Sequence, residues 1–254
     1  MSVRVGRLAY TNDGKLVKMP SFDNHTPIVV TTRYSEYASL SPFFLKSDND
    51  QIIENVYQFA KIYPNVTATT KYLSRASRHF IWNHPSEEHV DQSGQPNDLY
   101  WQWRKKGMAA NNAIRYPVGF RGRHECVGIL WDDNIHQLDP TAKIECNKES
   151  FLPYIEGRKK VYYPLYRDSV IKQPNFEQLK QRILGGENLL VLEPDGPHQE
   201  SLQYYKTTYG VDDDFIVDDS MQATKNNLQI MMDDVKHPFG HGYCLAALLQ
   251  DISV

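Results

Sequence analysis

Glu54-Asn55-Val56-Tyr57-Gln58-Phe59-Ala60-Lys61 separates into two faces when read as a helix. At roughly 100° per residue, Glu54, Tyr57, Gln58 and Lys61 fall within a sector of about 100°. Ile52, Val56, Phe59 and Tyr63 fall on the opposite side and give the helix an apolar stripe for docking on a core. The polar face carries one carboxylate, one phenol, one amide and one amine. Glu54/Gln58 and Tyr57/Lys61 are i,i+4 neighbours. Glu54 and Lys61 are two turns apart, about 10 Å, a spacing that brackets a ligand. The bland alternative is a solvated polar face with incidental pairs. Ser47-Asp48-Asn49-Asp50 supplies short oxygen-bearing side chains to cap the helix, and Pro64 ends it.

Working outward, the N-terminal region holds two β-like runs, Val3–Tyr10 and Pro27–Thr32, with Asn12-Asp13-Gly14 as a turn between them. On the other side, Asp98 is expected to cap a helix over Leu99–Met108. A basic loop containing Arg121 and Arg123 follows. Phe151–Arg158 begins a helix that Pro164 should break. Pro174-Asn175 precedes an amphipathic helix, Phe176–Leu184, stopped by Gly185-Gly186. Asn188–Glu193 is the clearest strand, a short apolar run bounded by turn residues, and it empties into Pro194-Asp195-Gly196. Polar groups after a buried strand are a common place for chemistry. A further helix starts at Thr224 or Asn226. Gly240-His241-Gly242 then leads into an apolar helix, where glycines allow close backbone approach and free amides favour an anion.

Composition bounds the function. The chain has 254 residues, 41% of them hydrophobic, enough for one large or two small cores. Net charge is −3, so no global field favours nucleic acid, but residues 101–182 carry +6 and residues 183–254 carry −9. Cys126, Cys146 and Cys244 form neither a metal-ligand spacing nor a disulfide framework, so a reducing, cytoplasmic setting is expected. His237 and His241 lack further ligands, and no metal is expected. No apolar run approaches a membrane span.

The order of these segments resembles the NADAR family, named for its proposed link to NAD and ADP-ribose. Leu40-Ser41-Pro42-Phe43-Phe44 followed by Glu54-Asn55-Val56-Tyr57-Gln58-Phe59-Ala60-Lys61 is similar to the family's Leu-Ser-Asn-Phe and Glu-His-x-Tyr-Gln-x-x-Lys stretches. Pro42 replaces Asn, and Asn55 replaces His. Trp101–Met108, Gln173–Leu179 with Leu189–Glu193, and Gly240–Leu249 resemble later family elements. The family's Asp-x-x-Trp-Gly motif is missing, and Asp195 is its nearest counterpart.

The resemblance implies a predominantly α-helical α+β fold, a single domain over 1–254 with insertions at about 121–150 and 198–236. It implies an enzyme that hydrolyses the N-glycosidic bond of an ADP-ribosylated or related nucleotide, with or without a nucleic-acid carrier, and that needs no cofactor. Such a bond breaks through an oxocarbenium-like state that a carboxylate stabilises. Glu54, Lys61 and Asp195 are the expected catalytic groups, with Asp195 or alternatively Glu193 as the second carboxylate. Phe43, Tyr57, Gln58 and Trp101 are expected on the base and sugar. Arg121, Arg123, Gly240, His241 and Gly242 are expected on the diphosphate. The alternatives are a nucleotide-binding module without turnover, or a glycosyl-transferring enzyme.

Overall fold

The computed structural model describes residues 2–11, 15–31, 35–68, 82–114, 124–133, 139, 141–144 and 150–253. In chain order the strands are β1 (Val3–Arg7), β2 (Ala9–Tyr10), β3 (Leu16–Lys18), β4 (Thr26–Val29), β5 (Lys61–Ile62), β6 (Asn65–Val66), β7 (Glu87–Glu88), β8 (Gly128–Ile129), β9 (Leu189–Glu193) and β10 (Ser220–Gln222). The helices are α1 (Ile53–Ala60), α2 (Asp98–Met108), α3 (Tyr154–Gly157), α4 (Tyr163–Val170), α5 (Pro174–Leu184), α6 (Leu202–Tyr209), α7 (Lys225–Asp233) and α8 (His241–Leu249). Among the described residues the fold is α+β with helix in excess. The chain divides into two compact units, a sheet unit of Met1–Ser41 with Tyr166–Val254, and a helical unit of Pro42–Leu165.

The sheet unit is built on β9. All five residues of β9 are buried, as a strand covered on both faces requires. β9 pairs in parallel with β1 on one side and with β4 on the other, and β10 adds antiparallel to β1. Segment 198–236 therefore supplies an edge strand of this sheet. Leu189, Val191 and Glu193 share one face by the two-residue pleat, in register with Val3 and Val5. That face meets α8, whose Tyr243, Cys244, Leu245, Ala246 and Ala247 are all buried, and α5 and α7 pack beside α8. The opposite face sets Leu190 and Leu192 against Leu8, Phe22 and Val29. Gly6 is needed here, because a Cβ would lie 2.8 Å from the Leu192 side chain.

The helical unit packs α1 on α2. Phe59 lies against Trp103, ring centroids 4.4 Å apart, and against Trp82. Gly107 admits the Phe59 ring, since a Cβ there would fall 2.0 Å from it.

Three local expectations are corrected. Ser47–Asp50 does not cap α1: the first amides of α1 are taken by the carbonyls of Leu45 and Pro42, at 3.0 Å to Ile53 N and 3.2 Å to Glu54 N. Asp98 is the first residue of α2, and the cap is Asn97, whose side chain accepts from Tyr100 N at 3.1 Å. Pro164 breaks nothing. Arg158–Tyr162 forms a π-turn, with Tyr163 N bonded to Arg158 O, and α-helix resumes at Tyr163. The i→i+5 turn places the proline in the first turn of the resumed helix, where a missing N–H is tolerated.

Candidate functional site

Two clusters hold the expected residues, one in each unit. In the helical unit α1 is buried nearly all round. Val56, Phe59 and Tyr63 fill the apolar side, but Tyr57 and Gln58 are buried too, Gln58 at 2% exposure. The polar face is therefore not a solvated one. Glu54 is its half-exposed member. The helix also ends one residue earlier than its pattern suggests. Ala60 is the last helical residue, and Lys61 turns into the extended conformation, φ −75° and ψ 143°, to start β5. Glu54 and Lys61 are thus not two positions of one helix. Ala60 O accepts from Leu130 N, and Lys61 pairs with Ile129 of β8, which pulls the chain out of the helix.

That exit buries the Lys61 ammonium at 6% residue exposure. Its Nζ donates to Gln58 Oε1 at 3.0 Å and lies 4.3 Å from the Tyr57 ring centroid and 5.6 Å from that of Tyr154. No described carboxylate pairs with it. The Arg158 guanidinium, also buried, lies 5.8 Å from the Tyr154 ring, and Tyr162 packs on Tyr57 at 4.9 Å. Burial, then the neighbouring Tyr154, raises the Tyr57 phenol far above its usual range, and burial followed by Cys126 does the same for Tyr63. Burial raises the Cys126 thiol although Lys61 opposes it, and the thiol donates to Gly128 O at 3.2 Å. The phenols and the thiol are therefore neutral donors near pH 7. Cys126 is a poor nucleophile in this state.

The remaining expected residues of this unit are placed as follows. Asn55, at the family's histidine position, is fully buried and accepts from Ile114 N at 2.8 Å while donating to Ala110 O and Asn112 O. It fixes the 110–114 segment to α1. Phe43 is half-buried in the turn before α1. Trp101 is buried in α2 with its ring beside Tyr100 and Arg104, so its faces already have protein neighbours. Arg121 and Arg123, like Cys146 and the Asn12–Gly14 turn, lie outside the described residues. Arg158 and Tyr154 were not singled out from the sequence. Their signal is faint, an aromatic and an arginine four apart in a helical run.

In the sheet unit the amides of the glycine loop meet a carboxyl group of the same unit. Gly240 caps α8, and Gly242 N donates to Glu193 Oε1 at 2.9 Å. A Cβ on Gly240 or Gly242 would fall 2.0 or 2.6 Å from the Glu193 carboxylate. The amides expected to receive a diphosphate hold this carboxyl group instead. His241 Nδ1 lies 3.3 Å from Glu193 Oε2, and its Nε2 contacts Val30 O at 2.7 Å. Burial, reinforced by Asp195, drives the Glu193 carboxyl well above its usual range against the pull of the α8 amides. Asp195 is half-buried in the turn after β9. Asp195, Gly240, His241 and Gly242 thus belong to one unit and Glu54, Tyr57, Gln58 and Lys61 to the other.

No family model, curated protein or solved structure matches this chain. Among the described residues no group of three or more His, Cys, Asp or Glu is arranged to hold a metal ion, and no helix is long and apolar enough to cross a membrane. The arrangement in the helical unit is suited to an anion carried on an aromatic group. It offers a buried ammonium and a guanidinium for charge and phenol rings beside them, and the half-exposed Glu54 carboxylate lies in the first turn of α1.

Proposed function

We propose that the α1 cluster binds an ADP-ribosylated or related nucleotide and hydrolyses its N-glycosidic bond. The observation that supports this is the Lys61 ammonium, buried against Gln58 and two tyrosine rings with no described carboxylate paired to it. A buried charge without its counter-ion costs several kcal/mol, and an incoming phosphate relieves that cost. Arg158 adds a second cation beside the Tyr154 ring. Tyr154, half-buried, offers its ring to a base, and Gln58 an amide for its edge.

Glu54, on the turn of α1 before Tyr57 and Gln58, takes the carboxylate role. As the bond from the anomeric carbon to the base nitrogen lengthens, Glu54 stabilises the positive sugar and accepts a proton from water. The water oxygen bonds to the anomeric carbon, and the proton taken up by Glu54 passes to the nitrogen of the departing base, which restores the carboxylate. The proposal draws on the helical unit alone.

The test is mass-spectrometric turnover on NAD, ADP-ribose, ADP-ribosylated guanosine and ADP-ribosylated DNA. Glu54→Gln should lose at least 100-fold in rate while still binding, and Lys61→Met should lose at least tenfold in affinity. Saturable binding without turnover in the wild type would reduce the reading to a nucleotide-binding module. A sugar-bearing acceptor among the products would make it a transferase.

A further inference from the structure

We propose that His84, Glu87 and His89 form a clasp at the start of α2, held closed by one proton shared between His84 and Glu87. The clasp lies within the helical unit and does not rest on the nucleotide function.

The three side chains meet at one atom. Glu87 Oε2 lies 3.4 Å from His84 Nε2 and 3.2 Å from His89 Nε2. Both imidazoles are buried, that of His89 completely, and Glu87 is half-buried.

The hydrogen positions follow from the partners. His84 Nδ1 lies 2.8 Å from Pro85 O, and a carbonyl only accepts, so Nδ1 carries a hydrogen. In a neutral ring Nε2 is then a lone pair, and it faces a carboxylate oxygen. That contact is attractive only with a proton between the two atoms. His89 differs. Its Nε2 donates to Glu87 Oε2, and its Nδ1 is buried with no hydrogen-bond partner. A hydrogen on that Nδ1 would be a buried donor without an acceptor. Burial holds the His89 imidazole below its ordinary range, although Glu87 pulls the other way. The exchangeable proton therefore belongs to the His84–Glu87 contact.

Other charged groups around the clasp have partners elsewhere. From α2, Lys106 Nζ donates to Asn83 O at 3.0 Å and lies 4.7 Å from the ring of Trp82, which is parallel to that of His84. Arg104 donates to Tyr100 OH at 3.2 Å and to Leu130 O at 3.3 Å, and the Tyr100 and Trp103 rings flank His89. From α1, Phe59 packs on Trp82 and Trp103 and brings no charge. Asp91 accepts from Ser93 and from Gln95 N, and Glu88 is exposed.

The clasp secures the cap of α2. β7 joins β6 through two residue pairs, Asn65 with Glu88 and Val66 with Glu87. Asn97 donates from Nδ2 to Glu88 O at 2.7 Å and from its backbone N to His89 O at 3.0 Å. His89 N donates in turn to Pro64 O at 2.8 Å. When the shared proton is lost to solvent, the His84 lone pair opposes the carboxylate, and the attachment of Asn97 to β7 loosens. Imidazoles exchange their second proton between about pH 5 and 8, so the clasp opens as pH rises through that range.

The experiment is hydrogen exchange read by mass spectrometry in steps from about pH 5 to 8, corrected for the intrinsic rate at each pH. Protection of the His89, Asn97, Tyr100 and Trp101 amides should fall about tenfold or more, while α5 stays constant. Glu87→Gln supplies an amide that donates to the neutral ring, and should make that protection independent of pH. His84→Phe keeps a ring on Trp82 but removes the exchangeable proton. It should also flatten the response, and it carries the comparison if Glu87→Gln misfolds. Ring-nitrogen NMR should show Nε2 of His84 changing with pH while His89 keeps its single hydrogen. Flat wild-type protection, the same pH response in both variants, or a proton change at His89 instead of His84 would overturn the clasp.

Discussion

Asp234 and Glu193 are both buried in the sheet unit, yet their surroundings drive them in opposite directions. Burial disfavours the charge of Asp234, but hydrogen bonds from His237, the Lys236 amide, Tyr205 and Tyr204 outweigh it and bring its pKa from 3.8 down to about 2. A lowered carboxyl pKa stabilises the fold above the unfolded value and loses that contribution as pH falls through the folded one. Wild-type stability should therefore drop between pH 3.8 and about 2. Asp234→Asn should flatten that slope and cost about 1–3 kcal/mol at neutral pH, read by urea unfolding across pH. The same variant should release His237 from the tautomer with hydrogen on Nδ1, visible in its ring nitrogen shifts. Glu193 has the reverse sign. Its raised pKa stabilises the fold fully below the ordinary value of 4.5, and that contribution fades as pH rises from there. Glu193→Gln keeps the acceptor for Gly242 N and should remove the alkaline part of the slope. An unchanged slope in that variant would mean that Glu193 is ionised in the fold. Glu193 was visible in the sequence because a strand pattern ended on it. Asp234 was not, since Tyr204 and Tyr205 reach it from about 30 residues away.

At the level of elements, amphipathic spacing located α1 and α5 and gave the apolar side of α1 correctly, and the apolar run after Gly240-His241-Gly242 located α8. It failed where tertiary contacts decide. Periodicity cannot show that the polar face of α1 is buried, nor that pairing with β8 ends the helix at Ala60 and turns Lys61 inward. Caps were misread for a related reason: backbone carbonyls from a folded loop serve α1, and no side-chain pattern announces them. The α1–α2 contact rests on Gly107, which the sequence offers only as a weak helix residue. Gly107→Ala should drive a methyl into Phe59 and cost about 1–3 kcal/mol. Phe59→Leu frees that space at its own cost, so the pair should be less damaging than the sum of the two. Double-mutant unfolding measures the coupling, and additivity would show that the helices part rather than clash.

For the whole molecule, the sequence announced a strand at Asn188–Glu193, one residue longer than β9, but not its partners. β1 sits nearly two hundred residues earlier and pairs with it in parallel, an arrangement that no local pattern encodes. Nor did the pattern reveal that Met1–Ser41 and Tyr166–Val254 make one unit while Pro42–Leu165 makes another. The consequence is testable, because β1 lies inside its sheet, with β9 on one side and β10 on the other. Val5 is fully buried and pairs with both Val191 and Met221. Val5→Asp places an unpaired carboxylate there and should cost more than about 4 kcal/mol. If the sheet is one cooperative unit, amide protection should fall together across β1, β4, β9 and β10, although β4 does not pair with β1 and is linked to it in the sheet through β9. Hydrogen exchange read by mass spectrometry separates the cases. Loss confined to β1 and β10 would show that β4 and β9 hold as a pair without the N-terminal strand, and that α8 rather than β1 carries the stability of β9.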